Sequence, residues 1–287
     1  MSIGVLCSGN LGLHILQKLY AVYPVSFVFT DSKSIVITSF CQDNNIPLFR
    51  GNPRNGNCNS FLSDKQCDIL LSVNYIFLVD NDLISFPKKY AINVHGSLLP
   101  KYRGRTPHVW AIINNEKMTG ITAHLIDSGC DTGNIVEQIE VEIEPSDTGA
   151  SILDKFNLLY WPLIDKVLNK IKYNQLTSVT QYHAKATYFG KRTPEDGLID
   201  WSWQKERIYN WVRAQAHPYP GAFTYINGSK LVIDSISFTD DGFRYDIPNG
   251  TVISFNPFLV KTSNGVVKID VFRGSINEYN DKQMVLG

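Results

Sequence analysis

Asn93 and His95 stand two residues apart in the stretch AINVHGSLLPKYRGRTP (91–107), and Asp131 lies in the later turn DSGCDTG (127–133). An imidazole titrates near neutral pH, so His95 can both take and return a proton. A carboxylate beside it, supplied by Asp131, could receive the other ring N–H, hold the tautomer and raise the histidine pKa. The neutral amide of Asn93 offers a donor of the kind that suits an oxyanion forming on a carbonyl. The three types together fit addition to a carbonyl by a nucleophile that must lose a proton. Taken singly, each has an ordinary structural use: a core histidine, a strand-end amide, a turn aspartate. Their joint placement in loops expected at one edge favours chemistry.

That edge is set by the elements around them. Residues 92–95 read as the end of a buried strand, where side chains at i and i+2 project to one face. Gly96-Ser97 ends the strand and leaves both polar groups at its carboxyl edge, where open parallel sheets usually bind ligands. Upstream, residues 3–6 read as a strand, Ser8 to Gly12 as a tight turn, and Leu13, Leu16, Leu19 and Tyr20 as one face of a helix. Strands at 25–29 and 69–73 and a helix from about 35 to 42 continue a β-α-β rhythm that predicts an α/β, Rossmann-like parallel sheet with helices on both faces. The turn Gly9-x-x-Gly12 lacks the full dinucleotide spacing. A backbone nest there could still hold a phosphate or a sugar hydroxyl, with Asn10 as its side-chain candidate. Ser72, Val73, Asn74 and Tyr75 close a strand at the same edge as Asn93 and His95. The polar stretch GNPRNGNCN and residues 59–67 read as surface loop.

Beyond Pro107 the pattern predicts a helix to about 114, strands at 121–126 and 135–143, and a long helix from about 148 to 171. Composition then changes. ATYFGKRTPEDGLIDWSW (186–203) is linker-like and leads into a helix near 204–215, which His217-Pro218-Tyr219-Pro220 stops. Short strands separated by Asn-Gly and Asn-Pro turns follow, predicting a smaller β-rich domain, an OB-like or truncated barrel. The expected division is 1–188 for the catalytic domain and 189–287 for the smaller one.

Lys plus Arg and Asp plus Glu are both 27, so the 287-residue chain is formally neutral, which argues against a protein that grips a long nucleic acid through its phosphates. No apolar run reaches the length of a membrane span and the start carries no secretory pattern. The five cysteines form no C-x-x-C pair, and free thiols in a reducing, cytoplasmic setting are the expectation. No metal is expected, because His14, His108, His124, His183 and His217 show no metal-like pairing.

The combination Asn93-x-His95-x-Ser97-Leu98-Leu99-Pro100, Arg103-Gly104, Gly120-Ile121-Thr122 and Asp127-x-Gly129-x-Asp131-Thr132-Gly133 resembles the signature of the folate-dependent formyltransferases. The likeness is strong over about residues 68–143 and weaker elsewhere. It implies that N10-formyltetrahydrofolate is the formyl donor and that Asn93, His95 and Asp131 match the family's catalytic triad. The loop 100–107, the passage Lys191 to Gly197 with Trp201, and Pro218-x-Pro220-Gly221-Ala222 are similar to the sugar N-formyltransferase branch. The implied acceptor is a nucleotide-linked amino sugar, with dTDP-4-amino-4,6-dideoxyglucose favoured and surface polysaccharide synthesis as the setting. Methionyl-tRNA formyltransferase is the alternative member, and a non-catalytic folate- or sugar-nucleotide-binding module the alternative class. Gly96, Ser128 and Cys130 depart from many relatives and leave the triad intact.

Binding expectations follow from the same likeness. Ser72, Val73, Asn74 and Tyr75, with Asp127 and Gly129, are the expected folate contacts. Asn10, Lys101, Tyr102, Arg103, Gly104, Arg105, Thr106 and Trp110 are the expected substrate contacts, with the basic side chains as phosphate ligands. A homodimer through an apolar face of the small β domain is expected.

Overall fold

The apolar runs at the start of the chain have nowhere to hide a polar face, and they form strands buried on both sides. In the computed structural model, residues 1–276 and 284–287 are described. Strands β1 (Ile3–Cys7) and β4 (Ile69–Val73) are buried along their whole length, as the near-continuous hydrophobic strands of a parallel sheet must be. Helix α1 (Gly9–Val22) follows β1, β2 (Val25–Thr30) leads to α2 (Ile35–Asp43), and β3 (Leu48–Arg50) completes the outer edge. The short helix α3 (Asn59–Leu62) precedes β4, and the short helix α4 (Asn81–Ile84) lies between β4 and β5 (Tyr90–His95). The expected surface loop at 59–67 is corrected by α3, because Leu62 and Cys67 are buried with Phe27, Phe29 and Leu70 in one apolar cluster.

The chain divides into two compact units, each discontinuous. The first comprises Met1–Gly104, Gly120–Val141 and Lys155–Phe189, and the second Arg105–Thr119, Glu142–Asp154 and Gly190–Gly287. A two-residue strand β6 (Arg103–Gly104), helix α5 (Pro107–Ile113), β7 (Met118–Leu125), β8 (Ile135–Glu142), helix α6 (Gly149–Lys172) and β9 (Tyr188–Phe189) come next along the chain. The seven-stranded sheet has the order β3-β2-β1-β4-β5-β7-β8. Its first five strands are parallel, and β7 runs antiparallel to β5. The α/β class therefore stands with a mixed sheet. A parallel β7 would need a crossover helix packed on the sheet, whereas α5, the helix in that connection, belongs to the second unit. The reversal sets β7 beside Asn93 and His95 in a register that sequence spacing does not reveal.

In the second unit, α7 (Lys205–Ala214) packs on α5 and on β11. Strands β10 (Ala222–Ile226), β11 (Ser229–Thr239), β12 (Val252–Phe255), β13 (Phe258–Lys261) and β14 (Val266–Arg273) form an antiparallel sheet ordered β10-β11-β14-β13-β12. Trp201, Ile208, Trp211, Ile233, Val260 and Val267 lie in its core. This is the small β-rich domain expected, as an antiparallel half-barrel. Among the described residues no helix is long and apolar enough to cross a membrane.

Candidate active site

The site begins with alternation on β5. Ile92 and Val94 point into the core, so Asn93 and His95 share the other face. The antiparallel register places His124 of β7 directly across from Asn93, and Thr122 across from His95. Parallel pairing on the other side sets Ser72 beside Asn93. Two β7 side chains and the end of β4 thus surround the two residues.

Each neighbour has a defined bond. The Thr122 hydroxyl donates to the Ser97 carbonyl at 2.6 Å, accepts from the Leu99 N–H at 3.2 Å and accepts from Gln138 Nε2 at 2.8 Å. That ties down the turn leaving β5. His95 Nε2 lies 2.8 Å from the carbonyl oxygen of Tyr102, which can only accept, so the ring carries a proton on Nε2. Its Nδ1 faces Asp131 Oδ2 at 3.6 Å, a charge-pair distance longer than a hydrogen bond. Asp131 Oδ1 is 3.5 Å from His124 Nε2, while Oδ2 accepts the Gly104 N–H at 2.9 Å. The carboxylate therefore stands between two imidazoles. His124 Nδ1 donates to the Leu125 carbonyl at 2.8 Å, and Asn93 Nδ2 lies 3.1 Å from His124 Nε2.

Burial governs His95, whose pKa lies below its ordinary value although Asp131 and the Tyr102 carbonyl pull the other way. This corrects the expected rise: desolvation of the charged ring outweighs its charge partner. At Asp131 burial by itself works to raise the pKa, but His95, the neighbouring His124 and the Gly104 N–H together hold the carboxyl well below the usual range. At neutral pH the site thus holds a neutral His95 beside an ionised Asp131.

Asp131 itself sits in the left-handed region, with φ of 53°. What holds it there is Gln181, whose Nε2 donates to the carbonyls of Asp131 at 2.9 Å and of Gly133 at 2.7 Å. Gln181 Oε1 in turn accepts from Arg103 Nε at 3.2 Å and from Nη2. Arg103 also reaches the Tyr188 hydroxyl and His183, and only 1% of its surface is exposed. The expectation of Arg103 as a phosphate ligand is therefore corrected: its guanidinium is spent inside the protein, bracing the turn that carries Asp131. Gly104 has φ of 98°, and a Cβ there would collide with the Phe189 carbonyl. Only glycine lets this backbone present its N–H to Asp131.

The other expected contacts fall as follows. Lys101 is exposed, and Tyr102 is buried, stacked on Phe189 with ring centroids 5.0 Å apart. Tyr102 contributes its carbonyl to His95. The Asp127 carboxylate accepts from the Gly129 N–H at 3.1 Å and the Thr132 hydroxyl at 2.6 Å, closing the 127–133 turn on itself. Asn74 is exposed with its Nδ2 donating to the Ser8 carbonyl at 3.0 Å, Ser72 and Val73 are buried, and the Tyr75 hydroxyl is buried without a partner among the described residues. Asn10 is exposed in the first turn of α1, which starts where β1 ends beside β4. Arg105, Thr106 and Trp110 belong to the second unit. There Thr106 takes φ of 49° before α5, and the Trp110 indole donates to the Gly190 carbonyl at 3.2 Å beneath Arg192.

Sequence reasoning missed His124, Gln181 and the Tyr102 carbonyl. The register of β7 was the signal for His124, and it requires knowing that β7 runs antiparallel. Gln181, 50 residues from Asp131, carries no local signal. Among the described residues, no group of three His, Cys, Asp or Glu could hold a metal ion.

The Formyl transferase family matches residues 11–159, and the Formyl transferase C-terminal domain matches residues 191–276. Over 277 residues the chain is 34% identical to the bifunctional polymyxin resistance protein ArnA of Wigglesworthia glossinidia brevipalpis, a match covering 93% of this chain. The chain spans 40% of the length of that curated relative. Among solved structures, WlaRD, a sugar 3N-formyl transferase in the presence of dTDP and 5-N-formyl-THF, is 21% identical with a TM-score of 0.67, covering 96% of this chain and 99% of that one. A 4-N formyltransferase from Francisella tularensis is 24% identical with a TM-score of 0.64, covering 80% of this chain and 94% of that one. At these identities the structures share the fold.

Proposed function

The chain belongs to the formyl transferase family, and from that premise we propose that it transfers a formyl group from N10-formyltetrahydrofolate to the amine of a nucleotide-linked amino sugar. The observation that carries the reading is the convergence of the Asn93 amide, the neutral His95 ring and the ionised Asp131 carboxylate at one sheet edge. The relative named as a sugar 3N-formyl transferase supports a sugar amine as acceptor. dTDP-4-amino-4,6-dideoxyglucose is the specific acceptor proposed, in surface polysaccharide synthesis by a cytoplasmic homodimer.

The donor set fits the reaction. An alkylammonium must shed one proton before it can attack a formyl carbon and a second once the C–N bond has formed. Asp131 and the Nδ1 lone pair of His95 are the acceptors at the edge. One Asn93 N–H goes to His124, which leaves the other for the oxygen that becomes negative during attack. An imidazolium formed at His95 beside Asp131 then returns a proton to the departing folate nitrogen, so the same ring serves as base and acid. Folate contacts are proposed at Ser72 to Tyr75, Asp127 and Gly129, and sugar-nucleotide contacts at Asn10 and Lys101 of the first unit.

The test is a panel of dTDP- and UDP-linked amino sugars, assayed with N10-formyltetrahydrofolate for formamide formation. Turnover of a sugar nucleotide, abolished in Asn93→Ala, is expected. Turnover of methionyl-tRNA alone would replace the acceptor, and no turnover with any amine would leave a binding module.

A further inference from the structure

We propose that His124 is a positioning residue for the reaction, acting through Asn93 by fixing which end of its amide faces the reacting carbonyl. The inference rests on the formyl-transfer reading above, but its structural half can be tested without turnover.

An amide has two ends of nearly equal size and opposite function. Only the NH2 end can stabilise an oxyanion, and a rotation that presents the C=O end would oppose one. Nothing in the covalent structure of Asn93 chooses between them. His124 makes the choice through its tautomer. Its Nδ1 sits 2.8 Å from the Leu125 carbonyl, an acceptor that demands a proton on Nδ1. In the neutral ring Nε2 is then a lone pair, and the group 3.1 Å away on Asn93 must be a donor. One N–H is thereby pinned, and the planar NH2 group directs the second at a fixed angle to it.

The surroundings make this arrangement rigid. His124 is 3% exposed, lies in the middle of the β5–β7 ladder and stands opposite Asn93 in register. Its Nε2 is also 3.5 Å from Asp131 Oδ1. A ring that gained a proton on Nε2 would turn that N–H on the carboxylate and ask Asn93 for an acceptor, the wrong end of the amide. A purely structural histidine at this position would need only the bond to Leu125.

His124→Leu removes the acceptor, and His124→Gln restores an oxygen able to accept from Asn93. His124→Leu is expected to lower kcat by about 10- to 100-fold, with both KM values little changed, because a misaimed group loses transition-state contacts more than binding. His124→Gln should recover most of the loss. Since the effect passes through Asn93, Asn93→Ala combined with His124→Leu should be no slower than Asn93→Ala alone. Independently, long-range 1H–15N spectra of the wild-type imidazole should show His124 protonated at Nδ1 and bare at Nε2, with the Nε2 signal shifting in Asn93→Ala. Protonation at Nε2 in the wild type would overturn the proposal whether or not the protein turns over. So would an unchanged kcat in His124→Leu, or losses that multiply in the double variant. A wild type that shows the expected tautomer but formylates no amine would sink the reading of function and leave the pairing intact.

Discussion

His95 Nε2 donates to the main-chain carbonyl of Tyr102 at 2.8 Å, and this bond decides which ring nitrogen is available for chemistry. Nδ1, 3.6 Å from Asp131 and outside hydrogen-bond range, is the nitrogen that can exchange a proton. His95→Gln keeps an N–H for Tyr102 but loses the titratable site. Its kcat should fall by about 100- to 10,000-fold with substrate KM values preserved, as steady-state kinetics would show.

Asn93 is the proposed oxyanion donor. Asn93→Ala should cost about 100- to 1,000-fold in kcat, the usual loss for one such donor. Near-normal turnover would remove Asn93 from the reaction.

The pH profile should carry the sign of the burial effect. With its pKa lowered, His95 stays neutral into acid where an exposed imidazole, with a value of about 6.5, would be half-charged. The acid limb of kcat should therefore fall below that ordinary value. Because Asp131 pulls the pKa upward, Asp131→Asn should move the limb further into acid while lowering the maximum. A wild-type acid limb at or above the ordinary imidazole value would contradict the first statement, and an Asp131→Asn limb that does not move further into acid the second.

Arg103 and Lys101 should separate in kinetics. Arg103→Ala leaves Gln181 Oε1 unpaired in the interior and should cost about 1–3 kcal/mol of stability in urea titration, with kcat falling as the Asp131 turn loosens. Lys101→Ala should instead raise KM for the sugar nucleotide at unchanged stability. A rise confined to that KM in Arg103→Ala would reinstate Arg103 as a phosphate ligand.

His108, buried beside Tyr219, has its pKa pushed down to about 4 by desolvation. Between that value and the unfolded value of about 6.5, the unfolded chain binds a proton that the folded chain refuses. Stability therefore rises with pH through the window and is lost on acidification, by on the order of 3 kcal/mol at most. His95 contributes with the same sign. His108→Phe should flatten the urea-midpoint dependence between pH 4 and 6.5, and an unchanged slope would assign the acid loss elsewhere.

The expected division of the sequence into elements survives in the strands at 3–7, 25–30, 69–73 and 90–95 and in α6 and α7, because fully apolar runs and long 3.6-residue periods admit few alternatives. The same alternation places Asn93 and His95 on one face from sequence spacing alone. The direction of β7 was not legible. An eight-residue strand reads the same whichever way it pairs, and only packing decides.

What the sequence by itself determined is the chemical cast: an amide and an imidazole at i and i+2 on a strand end, and a carboxylate in a glycine-rich turn. Their protonation and their partners were settled by tertiary structure. The pKa of His95 follows from how completely the fold excludes water around it, which no neighbour in the sequence reports. Arg103 looked like a surface cation because its flanking residues are basic, yet a glutamine brought in from residue 181 and the tyrosine at 188 enclose it. His124 became visible only when the antiparallel ladder set it across from Asn93. Chemistry that depends on residue type can be read along the chain, whereas desolvation and hydrogen-bond partnership are properties of space between distant segments.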